Sequence, residues 1–132
     1  MIKEISLIIP SQNAKTKILY LLGCIPNWEV IPNEIIIVDS SEEKLTLPEE
    51  FEIFVKEFDI RLLTIFKENL YPGHARNIGI SKSSNELLAF LDTSTIPCNK
   101  WLSSGLNLIK KQNTDGVWGK TYYEADKFLP KI

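Results

Sequence analysis

The chain of 132 residues carries 17 acidic and 15 basic side chains for a net charge of −2, with 44% apolar and 24% charged residues. Such a chain can bury roughly two-thirds of its unfolded surface in one core without staples. The balance argues against a basic nucleic-acid face, and the lack of an 18-residue apolar run argues against a membrane span.

Cys24 and Cys98 form no CxxC pair, and His74 is the single histidine. A zinc site is therefore not expected, and both thiols are expected to be reduced. Met1-Ile2-Lys3-Glu4-Ile5 places an acid where a secretion signal has its basic start and leads straight into a strand. The expected location is the cytoplasm.

In chain order, Ile5 to Ile9 is the first continuous apolar run, the pattern of a parallel strand buried on both faces. Ser11 and Asn13 follow as candidate helix caps, and Ile18, Leu19, Leu22 and Ile25 recur at helical spacing. Ile35 to Val38 is the second strand. Pro48 opens a helix with an apolar stripe of Phe51, Phe54, Val55 and Phe58. Leu62 to Phe66 is a shorter strand, and Pro72 and Gly73 open a helix reaching about Ser83. Leu87 to Leu91 is a strand, and Trp101, Leu102, Leu106 and Ile109 mark a helix ending in Lys110-Lys111, which suits its negative C-terminal dipole. Gly116 to Trp118 is a weak fifth strand. The alternation βαβαβαβα predicts one three-layer α/β, Rossmann-like domain over residues 1–132, with a mainly parallel sheet covered on both faces.

Ligands of open parallel sheets bind beyond the carboxyl ends of the strands, where strand order reverses. The residues after each apolar run are therefore the informative ones. Asp39 ends a strand, where a carboxylate accepts hydrogen bonds from ribose hydroxyls or a base N–H, or alternatively serves as a turn aspartate. Arg76 stands near the start of a helix, whose free N–H groups attract phosphate; alternatively it pairs with a nearby acid on the surface. Asp92 follows a buried strand among hydroxyls and suits a ribose or a divalent metal contact. His74 reads as a solvated loop residue. Trp101 and the phenylalanine stripe read as packing, while Trp118 beside Gly119 is a candidate pocket wall.

The order of these signals discriminates better than any one of them. Ile8-Ile9-Pro10-Ser11-Gln12-Asn13 resembles the strand-end Pro-x-x-Asn signature of family 2 glycosyltransferases of the GT-A fold. Glu34 to Ser41 is similar to the strand and Asp turn that follow, and Pro72-Gly73-His74-Ala75-Arg76-Asn77-Ile78-Gly79 to the family's Ala-Arg-Asn-x-Gly helix. Ala89 to Pro97, followed by Trp101-Leu102, occupies the place of its Asp-x-Asp segment. The resemblance covers about residues 5 to 120.

That resemblance implies a nucleotide diphosphate sugar, UDP- or GDP-linked, as donor and a saccharide or lipid-linked hydroxyl as acceptor. It implies a setting in bacterial cell-envelope polysaccharide synthesis at the inner face of the membrane. Asp39, with Ser41 in its turn, would bind the base or ribose, and Arg76 the base or diphosphate. Asp92 would touch ribose and a metal-bound water, and Pro10 and Asn13 would shape the loop beneath the nucleotide. Ser94 stands where the family has its metal-binding aspartate, and a hydroxyl is a weak ligand for Mg²⁺ or Mn²⁺. Arg76, Lys120 or a helix N-terminus would then offset diphosphate charge.

The family's acceptor-binding half, which supplies the catalytic base, has no counterpart in these residues, and no catalytic residue is assigned. The expectation is a truncated unit whose open sheet edge favours self-association. It acts either as part of a sugar transferase or as a degenerate nucleotide-binding or interaction module. A receiver-like or flavodoxin-like alternative lacks a lysine at a late strand end.

Overall fold

A computed structural model describes residues 1–120 and residue 122. The elements run β1 (Ile2–Ser11), α1 (Lys15–Cys24), a short 3₁₀ turn (Ile25–Asn27), β2 (Ile31–Asp39), α2 (Glu49–Glu57), β3 (Arg61–Phe66), α3 (Pro72–Lys82), β4 (Leu87–Phe90) and α4 (Trp101–Gln112). All strand pairings are parallel, in the order β3-β2-β1-β4. The α/β architecture expected from the alternation is present.

Alternating side chains of the strands feed two cores. Ile5, Leu7 and Ile9 of β1, with Ile35 and Ile37 of β2, face a large cluster under α1, α2 and α4. Ile8, Ile36 and Val38 face the other side, where Leu70 and Ala75 cover them. Burial on both faces explains the unbroken apolar runs of β1 and β2. It also explains the more mixed sequence of β3, whose residues are half-buried or exposed at the sheet edge.

Among the described residues, one face is thus covered by three helices and the other by α3 alone. Ala75 and Gly79 are the buried residues of α3. A Cβ added at Gly79 would lie 2.5 Å from Cγ2 of Ile8, so glycine is what lets this helix lie directly on β1. Trp28 and Trp101 meet edge to face, with ring centroids 5.3 Å apart, and hold the start of α4 against the segment entering β2.

Several expectations are corrected. Gly116 to Trp118 forms no strand; the segment lies outside the sheet, and Trp118 is exposed. Neither Ser11 nor Asn13 caps α1: Ser11 pairs with Asp39 as the last residue of β1, and Ala14 precedes the helix without a side-chain cap. The buried stripe of α1 uses Leu21 where Leu19 was expected, because the helix is rotated to pack Ile18, Leu21 and Leu22 inward. Phe58 closes α2 but stays exposed. His74 lies in the first turn of α3 rather than in a loop, and it is exposed. Cys24 and Cys98, by contrast, are free thiols as expected.

Candidate functional site

The chain leaves β3 on one side of the sheet and returns at β4 on the far side of β1, so strand order reverses between β1 and β4. A cleft of about 240 Å³ opens at their carboxyl ends. Pro10, Ser11 and Gln12 from the end of β1 form one wall, Asp92, Thr93 and Ser94 after β4 a second, and Pro72, Ala75 and Arg76 of α3 a third. Ser40 and Leu70 complete it.

Local sequence accounts for each wall. Asn69 adopts φ 56°, in the left-handed region that asparagine tolerates, and turns the chain into α3. Leu70 then anchors in the core. Pro72 occupies the first helical turn, where its missing N–H costs nothing. No side chain caps α3, so the N–H groups of Gly73 and His74 lack intrahelical partners, while that of Ala75 donates to the Tyr71 carbonyl at 3.0 Å.

Arg76 Nη2 donates to Asp92 Oδ1 at 2.6 Å. Arg76 thus does in this structure what its alternative reading expected, pairing with a nearby acid, and that acid is Asp92, the residue read for ribose or metal.

Asp39 is turned to the loop that follows β2. It is 1% exposed, and its carboxylate accepts from loop donors: the Ser41 hydroxyl at 2.5 Å, the Ser41 N–H at 3.4 Å and the Leu45 N–H at 3.3 Å. The turn-aspartate alternative describes what its carboxylate does in this structure. Asn13 links the same loop to β1, at φ 48°. Its N–H donates to Ser41 Oγ at 2.8 Å and its Oδ1 accepts from Glu42 N–H at 3.1 Å. A second cleft, of about 270 Å³, is lined by Asn13, Ser41 and residues 42–45. Pro10, Arg76 and Asp92 therefore gather in one cleft and Asn13 and Ser41 in its neighbour, with Asp39 beneath the loop. Trp118 and Lys120 line neither.

The donor set does not fit a protein-held divalent ion. Among the described residues no three histidine, cysteine or carboxylate side chains gather as metal ligands. Asp92 brings one carboxylate, already engaged by Arg76, beside the hydroxyls of Thr93 and Ser94.

With this geometry in view, comparison with known proteins is informative. The chain matches the sequence model of Glycosyl transferase family 2 over residues 6–131. It belongs to that family. It is 30% identical to the glycosyltransferase AglE of Haloferax volcanii over 122 residues, which is 90% of this chain and 40% of that protein. Among solved structures, Staphylococcus aureus TarS 1-349 in complex with UDP superposes with a TM-score of 0.65 at 21% identity, covering 93% of this chain and 39% of that one. The mannosyltransferase PcManGT of Pyrobaculum calidifontis, in complex with GDP-Man and Mn²⁺, gives a TM-score of 0.60 at 18% identity, covering 80% and 32%. The family 2 chain described here therefore has the GT-A-like α/β fold and spans less than half the length of these proteins.

Sequence reasoning missed one buried polar cluster of this domain, at the opposite end of the strands. Glu34 in β2 is 1% exposed. It accepts from Ser6 Oγ at 2.5 Å, from Ser84 N–H at 2.8 Å and from Ser84 Oγ at 2.7 Å, and it pairs with Arg61. Burial pushes its carboxyl up, but the bonds from Ser6, Ser84 and Arg61 prevail and hold it at about 2, against an ordinary 4.5. An acid inside an apolar strand was the available signal, since a buried charge requires partners.

Proposed function

We propose that this family 2 domain binds a nucleotide diphosphate sugar, UDP- or GDP-linked, and serves transfer of the sugar to an acceptor hydroxyl on a saccharide or lipid-linked molecule. The observation that carries this reading is the single cleft at the β1–β4 reversal, which collects Pro10, Arg76 and Asp92 beside the uncapped start of α3. Arg76 and the Gly73 and His74 N–H groups supply positive charge for a diphosphate. Asp92 accepts from ribose hydroxyls. Ser41 lines the second cleft, and Asp39, beneath the loop, meets the base or ribose only once the loop donors on its carboxylate give way to a ligand N–H or O–H.

Arg76 takes the charge-neutralising part that a Ser94 hydroxyl performs poorly for a divalent ion; a metal would have to draw most of its ligands from the diphosphate. The location in keeping with this reading is the cytoplasm at the inner membrane face, in bacterial cell-envelope polysaccharide synthesis. No helix among the described residues is long and apolar enough to cross a membrane.

A second reading has its own support. Asp92 already engages Arg76, and Ser94 stands where the family has its metal-binding aspartate, which favours a degenerate nucleotide-binding or interaction module with no transferase activity by itself. The edge of β4, with Leu87 and Phe90 partly exposed, is the surface for self-association in either reading.

Calorimetric titration with UDP and GDP, with and without Mn²⁺, tests the nucleotide reading. Binding that is lost in Arg76→Ala supports it, and no binding to either nucleotide refutes it. Turnover of a UDP- or GDP-sugar by this chain separates transferase from module, and sedimentation across a concentration series decides self-association.

A further inference from the structure

We propose that Glu34 is a positioning residue for the nucleotide cleft, acting at the far end of α3 to set where Arg76 stands. The proposal rests on the reading of Arg76 as a diphosphate ligand.

A narrow strip of residues holds α3 on the sheet. This helix is the only described one on its face of the sheet, and its buried residues are the small Ala75 and Gly79. Besides these, Ile78 packs half-buried on the same cluster; apolar anchoring is thus confined to the middle of the helix, and the contact of Gly79 with Ile8 fixes height above β1 better than tilt. Tilt is restrained at the C-terminal end instead.

There, Arg61 Nη1 donates to the Lys82 carbonyl at 3.2 Å, a group left unpaired by the helix itself. The same nitrogen pairs with Glu34. The residues just past the helix are gripped by the same carboxylate, through the Ser84 N–H and hydroxyl. Asn85 Nδ2 extends the clamp to Ser6 at 3.1 Å and to Asn33 at 2.7 Å. Glu34 is thus the hub where β1, β2, β3 and the end of α3 are joined.

Gly79 lies midway between Arg76 and Lys82 in sequence. At 1.5 Å rise per residue, each arm is about 4.5 Å long, so a displacement at Lys82 is returned at Arg76 with similar size and opposite sense. Loss of an ångström of registry at a ligand-positioning group can cost up to about a hundredfold in function.

The experiment uses the full chain and the variants Glu34→Gln and Arg61→Ala, with Val55→Ala, under α2 on the opposite face, as a stability control. Affinity for UDP and GDP is measured by calorimetry where circular dichroism shows each chain folded. In parallel, side-chain ¹⁵N spectra of the ligand-free chains report on Arg76. Arg61 and Arg76 are the arginines of this chain, so Arg61→Ala leaves Arg76 alone in the guanidinium region.

Both clamp variants should weaken nucleotide binding by roughly tenfold and shift the Arg76 resonance. Val55→Ala should lower the melting temperature and change neither. Wild-type binding retained within about twofold in both clamp variants, with Arg76 unshifted, overturns the proposal. If wild type binds neither nucleotide, the site reading fails, and the Arg76 resonance still decides positioning: unshifted in the variants, it overturns the proposal as well. Should Glu34→Gln fail to fold, Arg61→Ala carries the test, since the Arg61 side chain is half exposed.

Discussion

Arg76 and Asp92 lie sixteen residues apart and meet at 2.6 Å, each on a different wall of the cleft. Their side chains remain 35% and 57% exposed, so the pair adds about 1 kcal/mol or less to stability. Its significance is chemical: Asp92 occupies the guanidinium that an incoming phosphate would need. Arg76→Ala should therefore leave the melting temperature nearly unchanged while weakening UDP or GDP binding roughly ten- to a hundredfold, the loss expected for a charge-assisted contact. Equal affinities in calorimetry would remove Arg76 from the site.

The same pair gives an opposite expectation for its other member. Asp92→Asn keeps an oxygen acceptor but removes the charge that competes for Arg76. Inorganic pyrophosphate, which has no ribose, should bind this variant about two- to tenfold more tightly than wild type in metal-free buffer. Weaker binding would show that Asp92 does not compete with the anion.

Gly79→Ala should be costly for a reason confined to one contact. The new methyl would lie 2.5 Å from Cγ2 of Ile8, which is fully buried and has no room to retreat. A destabilisation of about 1–3 kcal/mol is expected in urea unfolding. In the Ile8→Ala background the added methyl should cost much less, a coupling that a double-mutant cycle measures directly. Additive effects would mean that the helix is spaced by something else.

Stability should fall in acid partly because of Glu34. Its carboxyl is held at about 2 in the folded chain, against 4.5 ordinarily, so its contribution is complete above pH 4.5 and lost as pH falls towards 2. That difference corresponds to on the order of 3 kcal/mol. The stability gap between wild type and Glu34→Gln should be wide at pH 7 and narrow at pH 3. A gap independent of pH would contradict the assignment.

Asp39 leads to a prediction about the loop above it. Asp39→Ala removes the acceptor for the Ser41 and Leu45 N–H groups and should destabilise the chain by about 1–3 kcal/mol. Hydrogen exchange at Leu45 should accelerate. Unchanged protection there would place the loop's anchor elsewhere.

The fold was legible where one physical signal dominated. Ile8, Ile36 and their neighbours form unbroken apolar runs because both sheet faces are covered, and that pattern alone points to parallel strands. The cleft residues were legible because strand ends are where such folds place ligands, and Arg76 and Asp92 do share one cleft. What was not legible depended on pairings between distant segments. Nothing near Asn13 reveals that its partners are Ser41 and Glu42 rather than the N–H groups of α1. Nothing near Asp39 reveals that loop residue Leu45 folds back onto its carboxylate. The fit of Gly79 against Ile8 is likewise a contact between distant segments.

The sheet order also sets a timetable for the growing chain. β1, β2 and β3 are contiguous in sequence and adjacent in space, so a chain synthesised as far as Phe66 contains all the residues of three neighbouring strands. Of the three cleft walls it holds only the one beside Ser11. Arg76 follows with α3, and Asp92 is delivered last, when β4 inserts along the free side of β1. Synthesis at about 5–20 residues per second leaves one to a few seconds between these stages. Until β4 has been made, the side of β1 that it covers has no partner strand.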